Sequence, residues 1–221
     1  MTRLAGLLLA GGQSRRMGGG DKCLLPFRGQ TVLDHVIGRM RPQLPLLALN
    51  ANGDPARFRA CGLPVLPDSL PGNLGPLAGV LTGLEWAAAQ GGIDSLVTVP
   101  TDAPFLPADL AQRLLAARDR EGADMATASS QGRTHPVIGL WPVSAAGDLR
   151  RALLRDGVRK VDAWTARYRL AVADYTGQPD PFFNLNRPED LARAAGLADG
   201  KPGQTASRAV PGCPGPANPA P

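Results

Sequence analysis

Aromatic residues are scarce in this chain, at 5% of its 221 residues, and histidine occurs only twice. Proteins that hold nucleic acid commonly interleave stacking aromatics with basic side chains, and that pattern is missing. The basic excess is small as well. Lys and Arg number 24 against 19 Asp and Glu, a formal charge of +5 spread along the chain with no lysine-rich block. A polyanionic small molecule is a sufficient partner for such a surplus, and nucleic acid is not expected. Cysteine is equally sparse: Cys23, Cys61 and Cys213 show no metal-ligand spacing and cannot all pair within one chain. A reduced, cytoplasmic setting is the simplest expectation, with Cys61 packing as a small hydrophobe and Cys213 lying in a tail. Long hydrophobic runs are lacking too. Residues 4–10, LAGLLLA, follow a single arginine and run into glycines and charges rather than a small-residue cleavage site, so they do not read as a secretion signal. They are also far too short to span a bilayer. They read as a buried strand, and no membrane association is expected.

What is present suits a folded domain. Hydrophobic residues make up 43% and charged residues 19%, which is enough apolar material for a core and not the composition of a disordered chain. Strands are expected at 4–10, 46–50, 63–66, 95–99, 123–128, 137–141 and 170–173. Helices are expected at 31–40, 55–60, 77–89, 108–120 and 188–195, with two more between 145 and 168 broken at Asp156-Gly157. Thr31 and Asp34 form a capping pair for the first helix, and Pro107 opens the helix at 108–120. The alternation predicts an α/β fold: a Rossmann-like, three-layer α/β/α arrangement with a mainly parallel sheet and helices on both faces. One domain is expected over 1–199. Residues 200–221 are mostly Gly, Pro, Ala and Ser without periodicity and are expected to be disordered.

Open sheets of this kind bind ligands beyond the carboxyl ends of their strands. Residues 11–22, 50–52, Asp68 and Asp102 all follow predicted strand ends, so four segments should converge on one edge. The first of them is the most informative. Residues 8–22 read LLAGGQSRRMGGGDK, a strand ending in two glycines, then two arginines, three more glycines and Asp21-Lys22. Glycines let backbone amides approach phosphate oxygens, and successive amides in a turn form an anion-binding concavity. Arg15, Arg16 and Lys22 add charged donors. A flexible loop with solvated basic residues is the bland reading. A dinucleotide fingerprint fails on register, and a Walker A loop fails because Lys22 precedes Cys23 rather than Ser or Thr.

The spelling LAGGQSRRMGGGDK followed by LPFRGQTVLDHVI closely resembles the signature of the MobA-type molybdenum cofactor guanylyltransferases, within the nucleotide-diphospho-sugar-transferase-like nucleotidyltransferases. The resemblance continues through ALNANG (48–53), PDSLPGNLGPLAGVLTGLEWA (67–87), PTDAPFLPADL (100–110), THPVIGLW (134–141) and FFNLNRPEDL (182–191). It thus covers nearly all of the chain before the tail. It implies that Leu9, Ala10, Gly11 and Gly12 contact a nucleotide and that Lys22 binds its phosphates. It also implies that Asn50 and Asp68 contact guanosine, and that Asp102 binds both nucleotide and Mg²⁺. Arg16 matches the signature and would help with phosphates. Thr101 stands where the family often has Cys, which touches only local packing.

The reaction so implied is the transfer of GMP from GTP to the molybdenum-molybdopterin cofactor, releasing pyrophosphate. Each assignment has a plainer counterpart. Asp102 and Asp68 can be turn residues, and Asn50 can simply end a strand. His135 is structural or touches the pterin, and His35 is structural. Asn184 and Asn186 share one face of an extended segment and suit phosphate or second-substrate contacts, while Asn186 can also cap a helix. Guanine over cytosine rests on family spelling, LAGG and Asp21 before Lys22, so a molybdenum cofactor cytidylyltransferase is the nearest rival. Another small NTP-dependent nucleotidyltransferase follows it. Transient partners that synthesise the cofactor or receive it are expected.

Overall fold

The computed structural model describes residues 2–10, 21–72, 74–186 and 188–198. The glycine-rich stretch 11–20, with Gly11, Gly12 and Arg16, and the tail from 199 onward lie outside the described residues. β1 (Leu4–Leu9) sends Leu8 into one core cluster and Ala5, Leu7 and Leu9 into the other. Burial on both faces is why this strand reads as an unbroken apolar run. A 3₁₀ turn at Lys22–Leu24 leads into a hairpin of two-residue strands, β2 (Pro26–Phe27) and β3 (Gln30–Thr31). α1 (Val32–Met40) then starts on the expected capping box: Asp34 N–H donates to Thr31 Oγ1 at 3.1 Å and Thr31 N–H to the Asp34 carboxylate at 2.9 Å. β4 (Leu46–Asn50), a 3₁₀ turn at Pro55–Cys61, β5 (Val65–Leu66), α2 (Pro76–Ala89) and β6 (Ser95–Pro100) follow. The second half holds α3 (Leu110–Glu121), β7 (Met125–Ser130), β8 (Arg133–Pro142), α4 (Ala146–Leu154), α5 (Val161–Thr165), β9 (Leu170–Tyr175) and α6 (Pro188–Ala198). Among the described residues no helix is long and apolar enough to cross a membrane.

The main sheet runs β5-β4-β1-β6-β8-β7-β9, and every neighbouring pair is parallel except the two that involve β8. α1 and α3 cover one face; α2, α4 and α5 cover the other. The three-layer α/β/α arrangement expected from the alternation is therefore present. β1, β4 and β5 step outward in one direction before β6 returns to the other side of β1. That reversal opens a crevice at the carboxyl ends of these strands.

β7, β8 and α3 differ in extent from expectation, each for a reason visible in its contacts. β7 and β8 extend up to a two-residue turn, where Gln131 (φ 50°) and Gly132 (φ 74°) both adopt the positive φ of a type I′ hairpin. Further along, the register jumps from Thr127 opposite Gly139 to Ala128 opposite His135, so residues 136–138 bulge from the ladder. The bulge is satisfied by side chains. Thr98 Oγ1 donates to Val137 O at 2.7 Å, and Thr127 Oγ1 lies 3.2 Å from Ile138 O. α3 begins at Leu110 rather than 108, because the Gln43 amide inserts at its start. Gln43 Nε2 donates to Pro107 O at 2.8 Å, and Gln43 Oε1 accepts from Ala111 N–H at 2.9 Å. The Ala111 N–H, which would bond Pro107 O in a helix starting at 108, is thus diverted to Gln43.

α2 can lie against β1 and β4 only because residue 79 is glycine. A Cβ there would collide with Asn50 Oδ1 and stand 2.7 Å from Leu9 Cδ2. Gly79→Ala is expected to cost ~1–3 kcal/mol and to lower Tm by roughly 2–10 °C. Gly147→Ala in α4, where a Cβ meets open space, should leave Tm unchanged or raised in the same thermal melts.

Candidate functional site

The carboxyl ends of β1, β4 and β6 are tied together by hydrogen bonds. Ala10 N–H donates to Asn50 O at 2.9 Å, and both the N–H and the hydroxyl of Thr101 reach Leu9 O at 3.3 Å. Above them opens a cavity of about 390 Å³, lined by Leu9, Ala10, Asn50, Asn52, Asp68, Pro100, Val137 and the start of α2 at Gly75, Pro76 and Gly79. Its mixed walls and size suit a small planar molecule with a few polar edges.

Asp68 is the best-held polar group of this cavity. Asn50 Nδ2 donates to Asp68 Oδ1 at 3.0 Å and Asn52 Nδ2 to Asp68 Oδ2 at 2.8 Å, while Asn52 Oδ1 accepts the Asp68 N–H at 2.8 Å. The next residue is bolted to α2: Ser69 N–H donates to Thr82 Oγ1 at 2.8 Å, and that hydroxyl donates to Ala78 O at 2.9 Å. A carboxylate fixed by neutral amides still has lone pairs left to offer a ligand.

Two residues beyond Pro100 of the cavity wall, Asp102 stands near Lys22. Lys22 opens the 3₁₀ turn, with Leu25 N–H donating to its carbonyl at 3.2 Å. Cys23 behind it is buried in the core under α1. Burial pushes the Cys23 thiol up to about 11 against relief from Thr101, so this cysteine is an inert wedge that sets where Lys22 begins. Asp102 follows β6, and its carbonyl accepts the Leu185 N–H at 2.9 Å. Its Oδ1 is fully enclosed and has no hydrogen-bond partner among the described residues. Burial raises the Asp102 carboxyl above the ordinary 3.8, opposed by the Lys22 ammonium and by its own backbone amide. An enclosed, unpartnered carboxylate oxygen fits a hard divalent cation. No group of three His, Cys, Asp or Glu side chains comes together among the described residues. Such an ion would therefore complete its shell with water and substrate phosphates.

His135 serves the same edge from the β8 side. Ser130 Oγ donates to Asp180 Oδ1 at 2.8 Å, so His135 Nε2, 2.8 Å from Ser130 Oγ, is the donor to that hydroxyl. Burial lowers the imidazole below its ordinary 6.5, against the opposing charge of Asp180, which favours the neutral ring. It packs on Phe182, 4.7 Å between centroids. The segment that begins at Asp180 continues to Leu185 and its bond to Asp102, and it carries Asn184 and Asn186 on its exposed side. Asn186 N–H donates to Asp190 at 2.9 Å.

The family model of the MobA-like NTP transferase domain matches residues 6–171. A molybdenum cofactor guanylyltransferase from Bradyrhizobium sp. is 55% identical over 199 residues, 89% of this chain and 94% of that protein. One from Rhodopseudomonas palustris is 55% identical over 194 residues, 87% of this chain and 92% of that protein. This chain belongs to the molybdenum cofactor guanylyltransferase family. Its fold is also that of molybdopterin-guanine dinucleotide biosynthesis protein A from Archaeoglobus fulgidus, with a TM-score of 0.71 and 22% identity over 89% of this chain and 99% of that one.

Leu9, Ala10, Asn50 and Asp68 line one cavity, and Lys22 and Asp102 come near one another just beyond the strand end at Pro100 that also lines it. Gly11, Gly12 and Arg16 lie outside the described residues. His35 is structural, bonded through Nε2 to Phe27 O at 2.9 Å. Cys23 and Cys61 are free thiols, and Cys61 packs half-buried against the core as expected. Asn52 is the residue that sequence reasoning undervalued. Its two hydrogen bonds with Asp68 depend on a neighbour sixteen positions away, which spacing alone does not announce. Val137 reaches the cavity only through the β8 bulge.

Because the folded-state carboxyl of Asp102 is raised, the protonated form is stabilising. Its contribution is present below 3.8 and is lost as pH rises through the folded value. Asp102→Asn is therefore expected to raise Tm at pH 7 by roughly 2–6 °C. The gain should vanish when melts are repeated below pH 3.8.

Proposed function

We propose that this chain transfers GMP from GTP to the molybdenum-molybdopterin cofactor, forming molybdopterin guanine dinucleotide and pyrophosphate. The observation that carries the reading is the enclosed, unpartnered Asp102 oxygen near Lys22, two residues beyond the Pro100 strand end that lines the same cavity as Asp68. Guanine presents two adjacent N–H donors, at N1 and the 2-amino group, and a carboxylate accepts both at once. Cytosine and uracil have no such pair. Asp68 therefore favours guanine, and Asn50 and Asn52 hold it in place.

In the transfer, a terminal phosphate oxygen of the pterin forms a bond to the α-phosphorus of GTP as the bond to the β-phosphate oxygen breaks. The attacking oxygen is already anionic, so no general base is needed. What the protein contributes is in-line placement and neutralisation of charge. Lys22, joined by Arg16, holds the β- and γ-phosphates and offsets the charge of the departing pyrophosphate. Leu9 and Ala10 border the sugar end with their backbone. Mg²⁺, held by Asp102, would supply Lewis-acid stabilisation of phosphate oxygens. Asn184 and Asn186 face the second substrate, on a segment that His135, Ser130 and Asp180 keep in register. The reaction belongs to a cytoplasmic domain spanning 1–199, which receives the pterin from cofactor-synthesis proteins and passes the product to molybdoenzymes. Residues 200–221 stand outside that domain.

Pyrophosphate release with GTP, CTP or UTP, Mg²⁺ and the molybdenum-pterin cofactor tests the reading. Turnover is expected with GTP alone, and turnover with CTP but not GTP would establish the cytidylyl alternative instead. Asp102→Ala should lower kcat by about 10²-fold or more with the fold retained by circular dichroism. Unchanged kcat in that variant would sink the metal assignment.

A further inference from the structure

Between the base cavity and the lysine turn lies a charged residue to which nothing above gives a role. Arg57 belongs to the 3₁₀ turn Pro55–Cys61, which is anchored at both ends of its first half. Asp54 accepts the Ala56 N–H at 2.9 Å, and Phe58 is buried in the core. The Arg57 guanidinium lies 4.9 Å above the Phe58 ring. Its two terminal nitrogens go to different segments. Nη1 pairs with Asp21 Oδ2 at 3.2 Å, and Nη2 donates to Asn52 O at 2.7 Å.

Those two segments are the ones that hold opposite ends of the nucleotide in the function proposed above. Asp21 immediately precedes Lys22, and its carbonyl accepts the Leu24 N–H at 3.0 Å, which closes the lysine turn. Asn52 clamps Asp68 through its side-chain amide. We propose that Arg57 is a positioning residue that fastens the base-holding loop to the phosphate-holding turn, setting the distance between the two halves of the GTP site. This rests on that functional reading. A planar fork with two differently placed acceptors suits the task, because it fixes direction as well as distance. The same contacts add little to stability: the Arg57 side chain is 38% exposed, and exposed ion pairs contribute little to folding.

A strap that sets a distance matters to a ligand that spans both half-sites, and not to ligands that fill only one. Titration calorimetry on the full chain with GTP, guanosine and pyrophosphate separates the cases. R57A is expected to weaken GTP about tenfold, through lost effective concentration. Guanosine and pyrophosphate should each change by less than about twofold, and Tm should move by less than about 3 °C. D21N should move GTP affinity in the same direction, and the R57A/D21N double variant should be no weaker than R57A, since both remove one strap. R57K, which can replace one contact but not both, should fall between. Unchanged GTP affinity in R57A, or an equal loss for guanosine alone, would overturn the inference while the unaltered protein still binds GTP. Failure of the unaltered protein to bind GTP would overturn the functional reading and this inference with it.

Discussion

A carboxylate oxygen enclosed by protein and offered no donor is costly unless a further group completes it. Asp102 Oδ1 is such an atom among the described residues. Its position follows from the topology. β6 lies parallel to β1, with Leu9 opposite Pro100, so the residues after both strands emerge at one edge. The Thr101 bonds to Leu9 O then leave little freedom in where Asp102 begins. Leu185 holds its carbonyl from the other side. The cost of the buried charge is the sign of a binding function: a fold optimised only for stability would pair this oxygen or replace it.

Around that atom the other groups are held by the protein's own hydrogen bonds and turns. Asp68 is gripped by two asparagines, Ser69 by α2, and Lys22 by a turn wedged with Cys23. Even the irregular stretch of β8 is held by Thr98 and Thr127. Phosphoryl transfer asks mainly for placement and charge, so such preorganisation is where this fold's contribution to the reaction lies.

Much of this was legible in the sequence, for physical reasons that differ by element. β1 announced itself because a strand buried on both faces must be apolar throughout, and α1 because a capping box is a local pattern. The convergence of 50–52, Asp68 and Asp102 followed from parallel topology. What escaped was non-local. Gln131-Gly132 lacks the usual hairpin spelling, so β7 and β8 looked shorter than they are. Gln43 reaches across 64 residues to Pro107 to delay α3. The bonds of Asn52 to Asp68 and of Arg57 to Asp21 and Asn52 join segments that no spacing rule relates.

The direct test is whether Asp102 and a bound nucleotide together make a metal site that neither makes alone. Mn²⁺ binding would be followed by electron paramagnetic resonance, with and without a non-hydrolysable GTP analogue. One protein carboxylate is a weak ligand set, so tight binding should appear only with the nucleotide and should be lost in Asp102→Asn. Equally tight Mn²⁺ binding without nucleotide, or binding that survives Asp102→Asn, would contradict the assignment of Asp102 as the protein's metal ligand.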